Sequence, residues 1–201
     1  MIAIVDYGFG NLRSVYQALR HVTKEEIKIA NNASTIDSAD RVVFPGQGAL
    51  PDAMAEIKRR NIQNAILNAA KTKPFLGICL GLQMLFETSE EGNAQGFGIF
   101  KGKVKRFQVP TAFKIPHMGW NTVHQRFEHP IWQGIAQDSR FYFVHSFFVQ
   151  TSENIVAATT NYSADFTSAI IANNCIAVQF HPEKSAEHGL KFMQNFTQWQ
   201  F

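Results

Sequence analysis

Cysteine is scarce in this chain, which has only Cys79 and Cys175. The two residues lie far apart and lack the short spacing that metal-binding cysteines share. The histidines at positions 117, 124 and 129 also lack ligand spacing and acidic companions. We therefore expect no metal site. One disulfide is possible on count alone.

Charge is also sparse, since charged residues make up 17% of the 201 residues and the net charge is +3. Lysine and arginine are scattered, with no basic block of the kind that nucleic-acid binding favours. No apolar run approaches the roughly 18 residues needed to cross a bilayer. The N-terminus begins with a strand-like Ile-Ala-Ile-Val and has no basic leader, so we expect no signal peptide. We expect one globular domain, residues 1–201, with no membrane or nucleic-acid partner.

The first half of the chain alternates short β-branched runs with helical patterns, which predicts an α/β fold with an open, mostly parallel sheet and helices on both faces. The second half has short aromatic and β-branched runs between Gly, Pro, Asn and Ser, which predicts additional, partly antiparallel strands. The predicted strands are residues 2–6, 27–30, 41–44, 75–78, 105–108, 140–148, 155–160, 169–172 and 176–179, and the predicted helices are residues 11–21, 51–59, 62–70 and 185–200.

The most informative segment is residues 75–81, where an apolar run ends in Gly-x-Cys-x-Gly and a helical pattern follows. This is the nucleophile-elbow pattern, with the thiol of Cys79 in place of the usual hydroxyl. The flanking glycines tolerate a strained, sharp turn, and the helix start favours a thiolate. The pattern predicts an enzyme with a free thiol, and hence a reducing, cytoplasmic location.

A nucleophilic cysteine needs a base and a group that orients the base. The best candidates are His181 and Glu183, just after the predicted strand 176–179. Pro182 argues against a helix there, so we expect an extended segment in which positions two apart point the same way. The sequence thus predicts a Cys79, His181, Glu183 triad.

A Gly-rich turn, Pro45-Gly46-Gln47-Gly48, follows another predicted strand and can present backbone N–H groups to an oxyanion, together with the N–H of Leu80. The Gly-x-Gly at positions 8–10 lacks the third glycine of a dinucleotide-binding loop, since Arg13 stands there. We therefore expect no nicotinamide, and no cofactor is called for by any other motif.

Taken together, the elbow and the His-Pro-Glu segment resemble the class I (triad-type) glutamine amidotransferases. Four further stretches, residues 5–14, 115–121, 142–146 and 179–185, are similar to those of the glutaminase subunits of imidazole glycerol phosphate synthase. The resemblance runs from the first strand to the last helix. It implies hydrolysis of L-glutamine and transfer of ammonia to a (β/α)8-barrel cyclase subunit, which makes imidazole glycerol phosphate and AICAR in histidine biosynthesis. The two subunits would form a heterodimer with allosteric coupling.

The resemblance also implies roles for individual residues. Cys79 would attack the glutamine amide, His181 would transfer protons and Glu183 would orient His181. The residues implied to bind substrate are Gly46, Gln47, Gly48, Leu80, Gln83, Glu91, Ser146 and Phe147. The residues implied to face the partner are Asn11, Met118, Trp120, Tyr142 and Lys184.

Two positions depart from the family pattern. Gln47 stands where valine is common, and Phe147 replaces a frequent tyrosine. Neither is the nucleophile or the base, so the departures bear on how the Gly-rich loop is held. Three alternatives stay open at this point: an amidotransferase subunit for another acceptor pathway, a cysteine peptidase or general thiol hydrolase, and a non-catalytic partner-binding subunit.

Overall fold

A twelve-stranded mixed sheet and a separate two-stranded sheet form the framework of the protein, whose 201 residues are all described by a computed structural model. The strands are β1 (Ile2–Val5), β2 (Ile27–Ala30), β3 (Arg41–Gly46), β4 (Phe75–Cys79), β5 (Phe86–Ser89), β6 (Ala94–Gln95), β7 (Phe100–Arg106), β8 (His117–Thr122), β9 (His124–Gln125), β10 (Arg140–His145), β11 (Phe147–Gln150), β12 (Val156–Tyr162), β13 (Ala164–Ala172) and β14 (Cys175–Val178). The helices are α1 (Leu12–Val22), α2 (Ala33–Asp37), α3 (Leu50–Arg59), α4 (Gln63–Thr72), α5 (Leu80–Gln83) and α6 (Ala186–Gln198), with short 3-10 turns at Glu91–Asn93, Pro130–Trp132 and Pro182–Lys184.

The large sheet is parallel at one side, in the order β2-β1-β3-β4-β14, and mainly antiparallel beyond β14. The small sheet pairs β8 with β10. Parallel strands require crossover connections, and the helices of the first half supply them. The expected α/β class and the mostly parallel sheet with added antiparallel strands are confirmed.

Alternating side chains of the parallel strands feed two hydrophobic cores, one on each face of the sheet. In β1, Ala3 and Val5 point into the core that α2, α3 and α4 cover, whereas Ile2 and Ile4 point into the core that α1 and α6 cover. These cores fix the sheet between helical layers. The four predicted helices agree with α1, α3, α4 and α6 to within two residues at each end. The start of α1 is fixed by Asn11, whose side chain accepts a hydrogen bond from the backbone N–H of Ser14.

The predicted strand over residues 140–148 is wrong as a single element. The chain forms β10 and β11, which belong to different sheets, with Ser146 between them. The sequence has no Gly or Pro at this break, so the strand-like aromatic pattern concealed it. The strands β5, β6, β8 and β9 and the helix α2 were not predicted at all.

The position of β14 decides where the functional residues meet. This strand comes from the far end of the chain but lies parallel to β4, with Val178 opposite Ile78. Since β3 is the other neighbour of β4, with Gly46 opposite Cys79, the carboxyl ends of three parallel strands converge at one edge.

The structure contains no helix with the length and hydrophobicity of a membrane span.

Candidate active site

Cys79 lies at the last position of β4 with a backbone φ of 55° and ψ of −108°, and α5 starts at the next residue. This backbone conformation is rare for a residue with a Cβ atom. The chain can make the turn because glycine stands on both sides. A Cβ atom at position 81 would lie 1.9 Å from the carbonyl oxygen of Phe44, and one at position 77 would lie 3.0 Å from the Cβ of Ala177. The elbow predicted from the sequence is therefore present.

His181 and Glu183 form a buried pair beside this turn. The Nδ1 of His181 lies 2.8 Å from the Oε1 of Glu183, and the two side chains are 2% and 1% exposed. The pairing was predicted through an extended segment, and that geometry is wrong. Pro182 starts a 3-10 turn over Pro182–Lys184, because proline is well tolerated in the first turn of a helix, where no N–H is needed.

The electrostatics of His181 favour its protonated form. Burial alone would lower its pKa, but the charge of an ionised Cys79 and the carboxylate of Glu183 outweigh burial and raise the pKa to about 10. The Nε2 atom of the ring is buried and has no hydrogen-bond partner. We therefore attribute the effect of Cys79 on the pKa of His181 to its charge rather than to a hydrogen bond. An unpaired Nε2 is free to exchange a proton with a bound molecule.

The residues predicted to bind substrate surround one cavity of about 400 Å³, which is a suitable size for a small ligand. Both Cys79 and His181 line it. So do all of the predicted substrate residues except Gly46, which is buried behind the loop that follows it. The predicted members at the wall are Gln47, Gly48, Leu80, Gln83, Glu91, Ser146 and Phe147. One carboxylate oxygen of Glu91 is already engaged, since it accepts a hydrogen bond from the N–H of Leu50 over 2.8 Å.

The Gly-rich loop is anchored from below by a tyrosine for which the sequence predicted no role. The buried Tyr7 hydroxyl donates to the carbonyl of Pro45 over 2.9 Å. A Cβ atom at position 46 would lie 2.4 Å from that hydroxyl, so only glycine fits there. Gly48 is exposed and has a φ of 90°, the left-handed region that favours glycine. The loop thus has one firm anchor and a free tip.

The sequence predicted no catalytic role for two buried histidines, of which His145 lines the same cavity and His117 contacts His145. The Nδ1–H of His145 donates to the carbonyl of Phe147 over 2.7 Å, because a carbonyl can only accept. The Nε2 of His145 must then accept from the Nδ1–H of His117 at 2.9 Å, and the Nε2 of His117 accepts from the side chain of Asn121. Both rings are neutral in this chain, and burial lowers the pKa of His117 to about 4 and of His145 to about 3.

Gln179 also had no predicted role, and it is fully buried between the cysteine and the substrate residues. Its Nε2 lies 3.6 Å from the sulfur of Cys79, and its Oε1 accepts from Gln83 over 3.0 Å. The sequence did contain a signal for the position of this side chain. Residues 179 and 181 are two apart at the end of a strand, so their side chains point to the same face.

Of the residues expected to face a partner, Lys184 lines the cavity, and Met118 pairs with Val144, which also lines it. Met118 and Trp120 are 61% and 44% exposed, unusual values for large apolar side chains. Trp120 pairs with Tyr142 across the small sheet, and the backbone carbonyl of Tyr142 accepts from the N–H of His181. The surface position of Trp120 agrees with expectation, although it lies within a strand rather than in a turn. Lys184 is exposed at the cavity rim, and Asn11 caps α1.

A cysteine on a strained strand–helix turn, with a buried His–Glu pair behind it, defines a class of enzymes that react through a thiolate and a covalent intermediate. A family model described as glutamine amidotransferase class-I matches residues 3–199 of the chain. The fold agrees with this match. The chain is similar to a glutamine amidotransferase of known structure (TM-score 0.75, 14% identity, 98% of both chains). It is also similar to PurLQS from Thermotoga maritima (TM-score 0.76, 20% identity, 98% of this chain and 97% of that one).

Closer relatives narrow the class. The chain is 52% identical to the imidazole glycerol phosphate synthase subunit HisH of Nitrosospira multiformis, over 98% of this chain and 97% of the relative. It is 53% identical to HisH of Nitrosomonas europaea, over 98% of both chains. The chain therefore belongs to the HisH group of the class-I glutamine amidotransferase family and is a glutamine amidotransferase.

Proposed function

We propose that this protein hydrolyses L-glutamine through Cys79, His181 and Glu183 and delivers the ammonia to a (β/α)8-barrel cyclase subunit of imidazole glycerol phosphate synthase. The observation that carries the proposal is the convergence of a strained cysteine and a buried His–Glu pair on one cavity of amino-acid size. The strong identity to HisH proteins supports this acceptor pathway over another one.

In the first half of the reaction, the thiolate of Cys79 attacks the side-chain amide carbon of glutamine. The negative charge moves to the amide oxygen, which the backbone N–H groups of Leu80 and of the loop at Gly48 would stabilise. When the tetrahedral intermediate collapses, the carbon–nitrogen bond breaks and His181 gives its proton to the leaving nitrogen. The products are ammonia and a thioester on Cys79.

In the second half, His181 accepts a proton from a water molecule that attacks the thioester. The carbon–sulfur bond breaks, glutamate leaves and the thiolate returns. Glu183 holds the ring of His181 through its Nδ1 in both halves, so Nε2 always faces the reacting atoms. Gln83 and Glu91, with the backbone at Ser146 and Phe147, would hold the α-amino and α-carboxylate groups.

The proposal includes a partner because free ammonia is mostly protonated near neutral pH and is then no longer nucleophilic. A closed conduit keeps it reactive. Met118 and Trp120 form an exposed apolar face on the small sheet beside the half-buried Tyr142, as expected for the docking side of a heterodimer. Val144, which pairs with Met118, lines the cavity. We expect Trp120→Ala to weaken binding of the cyclase subunit about tenfold or more in calorimetry. The reactive thiol requires a reducing compartment, so we expect a cytoplasmic enzyme.

Trapping of the covalent intermediate tests the chemistry. In His181→Asn with glutamine and the cyclase subunit, intact mass should show a thioester on the chain that Cys79→Ser,His181→Asn lacks. Absence of that adduct both in this variant and in acid-quenched wild type would revive the non-catalytic alternative. Turnover of peptides or esters instead of glutamine would point to a thiol hydrolase.

A reconstitution assay tests the pathway and the regulation. We expect weak ammonia release from the chain alone and strong release when the cyclase subunit is present with its ribonucleotide substrate, because the two sites are coupled. Equal rates in both conditions would contradict the coupling. Ammonia release without any glutamine-dependent imidazole product would assign the protein to another acceptor pathway.

A further inference from the structure

Gln179 is a fully buried polar side chain that the triad chemistry does not use. It follows β14 directly, and its backbone N–H donates to the carbonyl of Ser168, so its main chain is fixed. The side chain extends between Cys79 and Gln83. A buried amide is costly unless both of its ends are paired, so its place in the site requires a reason.

The direction of the Gln179 amide follows from a backbone carbonyl. The carbonyl of Phe147 can only accept, so the group of Gln83 that lies 3.1 Å from it must be the NH2 group. The same NH2 group of Gln83 faces Gln179, which must therefore present its oxygen to Gln83. The opposite atom of Gln179, its Nε2, then faces the sulfur of Cys79 over 3.6 Å, a normal hydrogen-bond distance to sulfur.

We propose that Gln179 is a positioning residue that donates a hydrogen bond to the sulfur of Cys79, favours its thiolate form and links it to the substrate residue Gln83. A buried donor aimed at an atom that becomes charged stabilises the charged form more than the neutral one. Both NH2 hydrogens of Gln83 are used inside the protein, so the polar atom that Gln83 keeps for a ligand is its oxygen. The proposal rests on the proposed function of Cys79 as the nucleophile.

Other ionisable groups around the thiol must stay constant for a test of this bond. They are His181 and Lys184 from the segment after β14, Tyr7 beneath the Gly-rich loop, His145 from β10 and Glu91 from the 3-10 turn. Glu183 acts on the sulfur only through His181. None of these groups hydrogen-bonds to Gln179, so a change at position 179 leaves them in place.

The test is the pH dependence of Cys79 alkylation by iodoacetamide in the full-length chain, read by peptide mass spectrometry so that Cys175 is counted separately. Gln179→Met keeps the length and volume of the side chain and removes the donor. We expect the alkylation midpoint to rise by about one pH unit, which is a tenfold lower thiolate fraction below the midpoint. We also expect kcat for glutamine to fall about tenfold with the cyclase subunit present.

The matched control is Asn195→Leu. Asn195 is a buried amide on α6 that donates to the carbonyls of Ile131 and Gln133, so its loss lowers stability without reaching the thiol. Both variants should lower Tm, but only Gln179→Met should move the midpoint. An unchanged midpoint in folded Gln179→Met overturns the proposal.

If Gln179→Met does not fold, Gln179→Leu tests the same bond, because its smaller apolar side chain also lacks the donor. We expect the same rise of the midpoint, about one pH unit; no rise overturns the proposal. The result is separable from the proposed function. Absence of glutamine hydrolysis by the wild-type complex would reject the nucleophile assignment, whereas hydrolysis with an unchanged midpoint would reject only the role of Gln179.

Discussion

One wall of the cavity is built on the ends of the sheet strands and carries the nucleophile and the base. Another wall is a glycine-rich loop with one firm anchor, which carries backbone N–H groups. The sheet wall consists of Cys79 and His181, and Gln179 and Glu183 lie behind them. All four side chains are buried, at or just after the ends of β4 and β14. The loop wall consists of residues 46–48, where Gln47 is half-buried and Gly48 is exposed.

The difference shows where the chemistry is fixed and where it can be controlled. Backbone hydrogen bonds between parallel strands and two hydrophobic cores hold the sheet wall, so its geometry exists before any ligand binds. The loop wall carries glycines that permit several backbone conformations. If the proposed cyclase subunit docks beside the cavity, we expect it to change the loop while the nucleophile and base remain in place.

The largest expected effect separates the two cysteines. Cys79→Ser should reduce glutamine hydrolysis about 10⁴-fold or more, because the nucleophile is lost. Cys175→Ser is the matched control, since Cys175 is also buried but lies at the opposite end of the strands, and burial raises its pKa to about 12. It should keep full activity in an ammonia-release assay with the cyclase subunit. Comparable losses in both variants would contradict the assignment of the sheet wall.

A smaller effect is expected for the group that orients the base. Glu183→Gln keeps the size of the side chain but removes the charge that stabilises the protonated His181 ring. We expect kcat to fall about 10³-fold with little change in KM, since Glu183 does not line the cavity. Steady-state kinetics of the complex measure both constants. A change confined to KM would mean that Glu183 acts in binding rather than on His181.

The loop wall should respond more weakly. Tyr7→Phe removes the hydroxyl that donates to the carbonyl of Pro45, and the loop loses its anchor. We expect kcat to fall about tenfold and the free energy of unfolding to fall by about 1 kcal/mol. Tyr162→Phe removes a similar bond, from the Tyr162 hydroxyl to the carbonyl of Lys114 away from the cavity, and should change stability only. Equal kinetics in the two variants would show that the anchor has no role in catalysis.

The sheet wall was largely predictable from the sequence, because its signals are local. The glycines around Cys79 and the short His-Pro-Glu segment each stand at the end of an apolar strand. Predicting their convergence needed the rule that carboxyl ends of parallel strands share one edge and, in addition, the fact that the two strands are neighbours. The sequence did not reveal that β14 would lie beside β4, and the resemblance to a family supplied that step.

The network behind the wall was not predictable, because its members are distant in sequence. Gln83 and Gln179 meet through the pairing of β4 and β14, and His117 and His145 meet through the small sheet. A single glutamine or histidine in the sequence does not reveal its hydrogen-bond partner until the pairing register of the strands is known. The break at Ser146 was missed for a similar reason, since tertiary pairing rather than local turn chemistry ends β10.

The buried histidine pair gives a prediction about stability rather than activity. His117 and His145 are neutral in the fold, with pKa values lowered by burial to about 4 and about 3 from an ordinary 6.5. When the pKa of a group is lower in the folded state, the unfolded chain binds the proton at a higher pH than the folded chain does. Protonation of the unfolded chain then lowers the free energy of unfolding. Stability from these rings is therefore complete above about pH 6.5 and falls as the pH drops below that value.

As the pH falls from 8 to 5, protonation of each of these two histidines in the unfolded chain should lower the free energy of unfolding by up to about 2 kcal/mol. His181 has the opposite sign, because its raised pKa stabilises the fold below pH 6.5 and loses that effect as the pH rises toward about 10. The His181 contribution is the same in wild type and in His117→Phe. That variant keeps the stacking on Phe143 and Tyr162 but cannot titrate.

We expect His117→Phe to be less stable than wild type at pH 8, by about 1 kcal/mol, because His145 and Asn121 lose a hydrogen-bond partner. Its loss of stability toward pH 5 should be shallower, so the two proteins should be equally stable near about pH 6 and the variant the more stable one at pH 5. Urea unfolding at pH 8, 7, 6 and 5 measures both slopes. Parallel slopes would mean that His117 is not held neutral in the folded protein, and the hydrogen-bond directions assigned from Phe147 through His145 to Asn121 would be wrong.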